Sequence, residues 1–336
     1  MSGQGHQIFA DIFADELARC AGDCDDARWA AIARRLTAPV RVAVAGRRGV
    51  GRGTVARALA AAGVASASAP DGADMQVYVL AEVVKPEDRA AIAAARHPVL
   101  AVLTKADLIG GPAGAVATHG ARIAALAGVP TEPMAGLLAV AALDDTVLDD
   151  TVWAALRGLA ARAADLSCPE RFVGANHPVP GEQRRRLLDT LDLFGVTVAT
   201  AAIRRGMSPE RTRALLRFLS RVDAVVDKIS VCAAPVRYQR VRDAAVELEA
   251  LAVTDRRAGD FLRSDEAVIA RMRAALDVAQ AAGLDTGPGD SPAAHLRRAA
   301  AWQQRRDAPV AGVPRACGAD IVRGSLRCWS KAMRSP

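Results

Sequence analysis

Apolar positions along the chain follow two patterns, and the change between them falls near residue 167. In the first half, compact apolar runs alternate with helical periodicity. Val40 to Ala45 is a β-branched run ending in Gly46, and Met75 to Leu80 and Pro98 to Leu103 are two more of the length and makeup of strands buried on both faces. Between them lie stretches with helical spacing: an Ala-rich segment from Thr54 to Ala62, one from about Pro86 to Ala95 that opens with acidic residues, and one from Ala115 to Ala127. A further apolar run, Ala135 to Ala142, reads as the last strand, and Thr151 to Ala164 as a closing amphipathic helix. This βαβ alternation predicts a mostly parallel sheet with helices packed on it. Ahead of it, Ile8, Phe9, Ile12, Phe13 and Leu17, then Trp29, Ile32 and Leu36, recur at helical spacing and predict two short helices.

Beyond Ser167 the strand pattern stops. Pro169, Asn176, Pro178, Pro180 and Gly181 break the periodicity, and six helices are expected afterwards, at about Glu182 to Arg204, Pro209 to Ile229, Val236 to Leu251, Asp265 to Ala282, Pro292 to Arg305 and Arg315 to Met333. Leu187, Leu188, Leu191, Phe194 and Val198 form one apolar stripe, and Leu215, Leu216, Leu219, Val222 and Val226 another, so these helices must bury against something. The expected organisation is therefore N-terminal helices over 1–37, an α/β domain over 38–166 and an all-α region over 167–336.

Composition narrows the class. At 336 residues and 51% hydrophobic, the chain carries enough apolar material for two cores, and the low aromatic content of 4% suits helices and parallel strands better than antiparallel sandwiches. The net charge of +7 comes from arginines spread along the chain with carboxylates nearby, which gives no strong nucleic-acid signal. The Arg184, Arg185 and Arg186 cluster reads as a solvated helix face. The longest uncharged apolar run, Leu193 to Ile203, is too short to span a bilayer, which leaves only peripheral membrane contact open. Cys20, Cys24, Cys168, Cys232, Cys317 and Cys328 show no paired spacing and no neighbouring histidine, as expected of reduced thiols in a cytoplasmic chain.

The chemistry concentrates at two loops. Gly46-Arg47-Arg48-Gly49-Val50-Gly51-Arg52-Gly53-Thr54 joins a strand to a helix, where backbone N–H groups and the helix N-terminus can wrap a phosphate. Against G-x-x-x-x-G-K-[ST] it keeps both glycines, Gly46 and Gly51, but has Arg52 at the lysine position and Gly53 at the hydroxyl position, with Thr54 one residue late as the candidate magnesium ligand. After the third strand comes Thr104-Lys105-Ala106-Asp107. Here the chain resembles the [NT]-K-x-D motif of Ras-like and Era-like P-loop GTPases. In that resemblance Asp107 accepts hydrogen bonds from guanine N1–H and its amine, and the Lys105 stem packs on the base. Ala141-Ala142-Leu143 looks like the [ST]-A-[KL] loop that meets the guanine carbonyl.

The resemblance covers roughly residues 38 to 165 and implies a P-loop NTPase-like three-layer domain. It departs in one place: Gly63 to Ala73 is the whole interval in which these GTPases hold a switch threonine, two strands and a D-x-x-G motif. The implied function is a GTPase-like protein that binds GTP or GDP, with Mg2+ as a candidate cofactor, and hydrolyses weakly or not at all. Its helical region would serve partner binding or regulation, in a head-plus-helices layout like that of dynamin-like proteins. Two alternatives stand beside it: an interaction or scaffold protein with a remnant P-loop domain, and a P-loop ATPase or kinase, which would have no use for Asp107.

Overall fold

Three short apolar runs and the segment Thr131–Met134 pair into one all-parallel sheet, and the remaining described residues are mostly helical. In the computed structural model of the chain, the described residues are 13–19, 26–67, 70–105, 113–287, 289–305 and 313–334. The expected positions Ile8, Phe9, Ile12, Cys20, Cys24, Ala106 and Asp107 lie outside them. The chain packs as two compact units, one made of Arg41–Ile229 and one made of Met1–Val40 together with Ser230–Pro336. The packing break thus lies later than the change of pattern at residue 167: the helices between 167 and 229 stay with the sheet, and the N-terminal helices join the C-terminal ones.

Helix α1 (Ala27–Thr37) precedes strand β1 (Val42–Gly46), helix α2 (Arg52–Ala61), strand β2 (Met75–Ala81), helix α3 (Pro86–Ala93), strand β3 (Val99–Thr104), helix α4 (Ala113–Ala127) and strand β4 (Thr131–Met134). The sheet order is β1-β2-β3-β4, with Val42 opposite Met75, Gln76 opposite Val99 and Ala101 opposite Thr131. Tyr78, Leu80, Ala101 and Leu103 pack with Ile92 of α3 and with Ile123 and Ala127 of α4. Alternation puts Val77, Val79, Leu100 and Val102 on the opposite face, and all four are buried.

The short interval after α2 still contributes to the sheet. Ser66 forms an isolated parallel bridge with Val42 on the free edge of β1, held by Val42 N–H to Ala65 O at 2.8 Å and Ala67 N–H to Val42 O at 3.0 Å. The chain then returns past Arg41, whose N–H donates to the Asp74 carboxylate at 2.8 Å and whose carbonyl accepts the Asp74 N–H at 2.8 Å. Successive segments therefore lie on opposite sides of β1. Open parallel sheets bind ligands beyond the carboxyl ends of their strands, and the end of β1 is one of these.

The run Ala135 to Ala142 corrects the sequence reading. The last strand is β4, four residues earlier, and the run itself is helix α5 (Gly136–Leu143). Leu138, Ala139, Val140 and Ala141 are all buried, so no polar face marks the helical period. Leucine and alanine favour a helix, and Val140 is the single β-branched residue in it. Pro133 lies in β4, which pairs with β3 alone, an edge position that tolerates it.

Helices α6 (Asp150–Ala161), α7 (Pro169–Gly174), α8 (Gly181–Arg204) and α9 (Pro209–Ser220) complete this unit, and α10 (Val222–Cys232) runs through the boundary. Helix α5 packs against α2, α8 and α9. The expected helix from Pro209 to Ile229 is interrupted at Arg221 (φ 60°), and the Ser220 carbonyl released there accepts the Ala135 N–H at 3.0 Å. Helix α8 is also broken, at Asp192 (φ 59°, ψ 174°). Arg184 is buried and donates to the Phe172 and Ala175 carbonyls, so part of the arginine cluster is an internal clamp on α7 and not a solvated face.

In the other unit, α1, α11 (Ala234–Leu251), α12 (Arg256–Arg263), α13 (Asp265–Ala281), α14 (Pro292–Arg305) and α15 (Arg315–Arg334) enclose Trp29, Leu36, Tyr238, Leu248, Phe261 and Ile321. Phe13 and Trp29 each meet Phe261 edge to face, at 5.3 and 6.1 Å between ring centroids. The Tyr238 hydroxyl donates to Asp320 at 2.8 Å, and Arg271 pairs with the same carboxylate at 3.0 Å.

Candidate functional site

The loop from β1 to α2 is shaped by three glycines at positive φ. Gly46 has φ 143°, and a Cβ built there would lie 2.6 Å from the Val79 carbonyl oxygen, so the loop can leave the sheet only through a residue without a side chain. Gly49 (φ 82°) and Gly51 (φ 87°) make the turn, and Gly51 caps α2 in the left-handed conformation. The first N–H groups of α2 have no partner within the helix and point, with its dipole, toward this loop. Arg52 and Gly53 are exposed, and a Cβ at Gly49 or Gly53 would meet nothing within 4 Å, so this side of the loop is open. Thr54 is half-buried, and its Cγ2 lies 3.1 Å from where a Cβ of Gly136 would stand.

The end of β3 is tied to that loop. Thr104 is buried, and its hydroxyl lies 2.9 Å from the Val50 carbonyl and 3.0 Å from the Leu80 carbonyl, sharing one proton between the glycine loop and β2. Lys105 follows in the left-handed region (φ 57°), with its side chain exposed. A cavity of about 170 Å³ opens here, lined by residues 49–51, Thr54, Thr104, Lys105, residues 135–138 and Asp192. Two helix N-termini, those of α2 and α5, therefore border one space.

Of the site residues expected from sequence, Gly49, Gly51, Thr54, Thr104 and Lys105 line this cavity, whereas Gly46, Arg52 and Gly53 do not. Asp107 lies outside the described residues. Ala141 and Ala142 are corrected: they lie in the second half of α5, and the turn that follows the last strand and borders the cavity is Ala135-Gly136-Leu137. That displacement follows from reading α5 as a strand, which moved the end of the sheet by eight residues.

Two contributions were not anticipated. Asp192 enters the cavity from α8, 138 positions after Thr54, and the sequence offers no spacing that would link them. Arg47 does not project as a free cation: its Nε donates to Asp88 at 2.8 Å, and the fully buried Asp88 carboxylate also accepts the Tyr78 hydroxyl at 3.1 Å and the Lys85 N–H at 2.9 Å. Burial pushes the Asp88 carboxyl upward, but the Arg47, Lys85 and Tyr78 hydrogen bonds together outweigh it and hold Asp88 below its ordinary value. Burial pushes the Tyr78 hydroxyl up, and the bond to Asp88 adds to it. The network pins one end of the glycine loop to the start of α3.

Two of the thiols are held protonated by their surroundings. Burial pushes the Cys317 thiol up to about 12 and Cys328 upward, so neither is a thiolate near neutrality. Among the described residues Cys168, Cys232, Cys317 and Cys328 form no disulfide. Among the described residues no cluster of three or more histidines, cysteines or carboxylates could hold a metal, and no helix is long and apolar enough to cross a membrane. Comparison with protein-family models, with curated proteins and with solved structures finds no match to this chain.

Proposed function

We propose that the Arg41–Ile229 unit binds the phosphate end of a guanine nucleotide at the glycine loop and turns it over slowly or not at all. The observation that carries the reading is the Thr104 hydroxyl on the Val50 carbonyl: it joins the two loops that resemble GTPase motifs at a single cavity, beyond the carboxyl ends of parallel strands. Glycine N–H groups, two helix N-termini and the Lys105 ammonium supply the positive potential that phosphate requires. Slow turnover follows from the same geometry. Arg52 does not line the cavity, Gly53 has no hydroxyl, and in the short interval where a GTPase holds its switches Ser66 makes a single bridge and Pro70–Gly72 a single turn. The helical segments would then act in partner binding or regulation.

The test is calorimetric titration of the full chain with GDP, GTP and ATP, with and without Mg2+. Guanine nucleotides should bind more tightly than ATP, and Asp107→Ala should remove the preference, because a site built to pair guanine's donors penalises a base that lacks them. ATP binding as tightly as GTP would show the Thr104–Asp107 assignment to be wrong and would favour an ATPase or kinase. One observation favours the second reading, a remnant domain acting through protein contacts: about 170 Å³ is below the roughly 300–1,000 Å³ of small-molecule sites. No heat with any nucleotide is the outcome that reading requires.

A further inference from the structure

Helix α8 carries an apolar stripe on both sides of its break, Leu187 and Leu191 before it and Val196 and Ala199 after it, all buried. Burial of the stripe therefore gives no reason for the break. Yet Asp192 holds φ 59° and ψ 174°, a region that glycine alone adopts without strain, and the result is an aspartate lining the glycine-loop cavity together with Thr54 and Lys105. One carboxylate oxygen accepts the Leu193 N–H at 2.7 Å and starts the second half of the helix. A local cap needs only that oxygen, and serine or asparagine would provide it without a charge.

The charge is the informative part. Two helix N-termini and Lys105 favour an anion in this cavity, whereas a carboxylate among them opposes one. A divalent cation between the carboxylate and the phosphate oxygens reverses that sign, and Mg2+ is commonly held by one or two carboxylates together with substrate phosphates and water. The volume is in keeping: about 170 Å³ is roughly six times the share of one liquid water, enough for phosphate groups and an ion but not for a base. We propose that Asp192 supplies the carboxylate that holds Mg2+ against the phosphates of the bound nucleotide, with the Thr54 hydroxyl as a neutral oxygen in the same cavity. The proposal rests on the nucleotide-binding reading above. It places the acidic metal ligand on a helix that follows the four-stranded sheet, since Asp71 and Asp74, which precede β2, do not line the cavity.

The experiment measures GDP and pyrophosphate affinity of the full chain in Mg2+ and in EDTA, for the unmodified protein, Asp192→Asn and Asp192→Gly. The unmodified protein should bind about tenfold or more tightly with Mg2+. Asp192→Asn keeps the oxygen that caps Leu193 and removes the charge, so it should bind equally in Mg2+ and EDTA. Asp192→Gly should lose the Mg2+ effect in the same way while unfolding at a higher temperature, because glycine accepts these dihedral angles freely; this variant decides the matter if the asparagine variant does not fold. Full Mg2+ enhancement in either variant, or GDP binding by the unmodified protein that is indifferent to Mg2+, would overturn the assignment of Asp192 and leave the nucleotide reading intact. Binding of neither GDP nor pyrophosphate in either condition would overturn both.

Discussion

Thr104→Val isolates the bond that joins the two loops. Valine matches threonine in shape, so the substitution removes the hydroxyl and leaves the packing of Cγ2 near Gly51 in place. The lost proton was shared between the Val50 carbonyl at 2.9 Å and the Leu80 carbonyl at 3.0 Å in a buried setting, where a hydrogen bond is worth about 1–1.5 kcal/mol and an acceptor left without its partner adds to the loss. A total of about 1.5–2 kcal/mol is expected. For a cooperative unit of this size each kcal/mol moves the melting temperature by about 2–4 °C, which gives a fall of about 3–8 °C for the Arg41–Ile229 unit. Differential scanning calorimetry on Thr104→Val, with Thr104→Ser as the control that keeps the hydroxyl and loses the methyl, measures it. Nucleotide affinity should fall with it, since Val50 lies between Gly49 and Gly51. A valine variant as stable as the serine variant would refute the claim that the hydroxyl holds the loop.

Other consequences concern both units. Asp88 titrates below its unfolded value in the folded chain, so its contribution is fully present above about pH 4 and is lost as pH falls through its folded value. Urea midpoints followed into acid should therefore drop more steeply for the unmodified protein than for Asp88→Asn, and parallel curves would remove Asp88 from the account. Gly324→Ala in α15 places a Cβ 2.3 Å from Met272 Cβ, a backbone-proximal atom that cannot swing away, and should cost about 1–3 kcal/mol, read as a lower thermal midpoint of the helical unit. An unchanged midpoint would show that α13 and α15 separate freely at this point.

What could be read from the sequence was what local rules govern. β-branched runs bounded by glycine and proline gave β1, β2 and β3 to within two residues, and the Ser208-Pro209 start of α9 carries its own signature, with the serine side chain accepting the Arg211 N–H. Helix α5 was misread because its apolar residues surround the axis, and with no polar face a helix and a buried strand look alike in one dimension. The break at Asp192 was hidden for a different reason: an aspartate beside a helical stripe reads as a solvent-facing position, and no glycine or proline marks the φ of 59° that it adopts. The glycine loop was legible because its glycines answer to steric needs local to the turn. Its tether was not, since nothing in the spacing links Arg47 to Asp88 or Thr104 to Val50.

The split of the helical unit has a consequence for synthesis. Residues 41–229 are continuous and can pack as soon as they emerge, but Trp29, Ile32 and Leu36 belong to a core closed by Tyr238, Phe261 and Ile321. At about 5–20 residues per second, α1 waits on the order of fifteen seconds to a minute on the ribosome with its apolar face exposed. During that time it is a substrate for chaperones, and a nascent chain stalled beyond residue 229 would display a finished α/β unit beside an unmet hydrophobic helix. A fragment of residues 230–336 made without residues 1–40 inherits the complementary defect, an open groove where Trp29 belongs, so the helical unit is better rebuilt by joining its two segments than by cutting at either end.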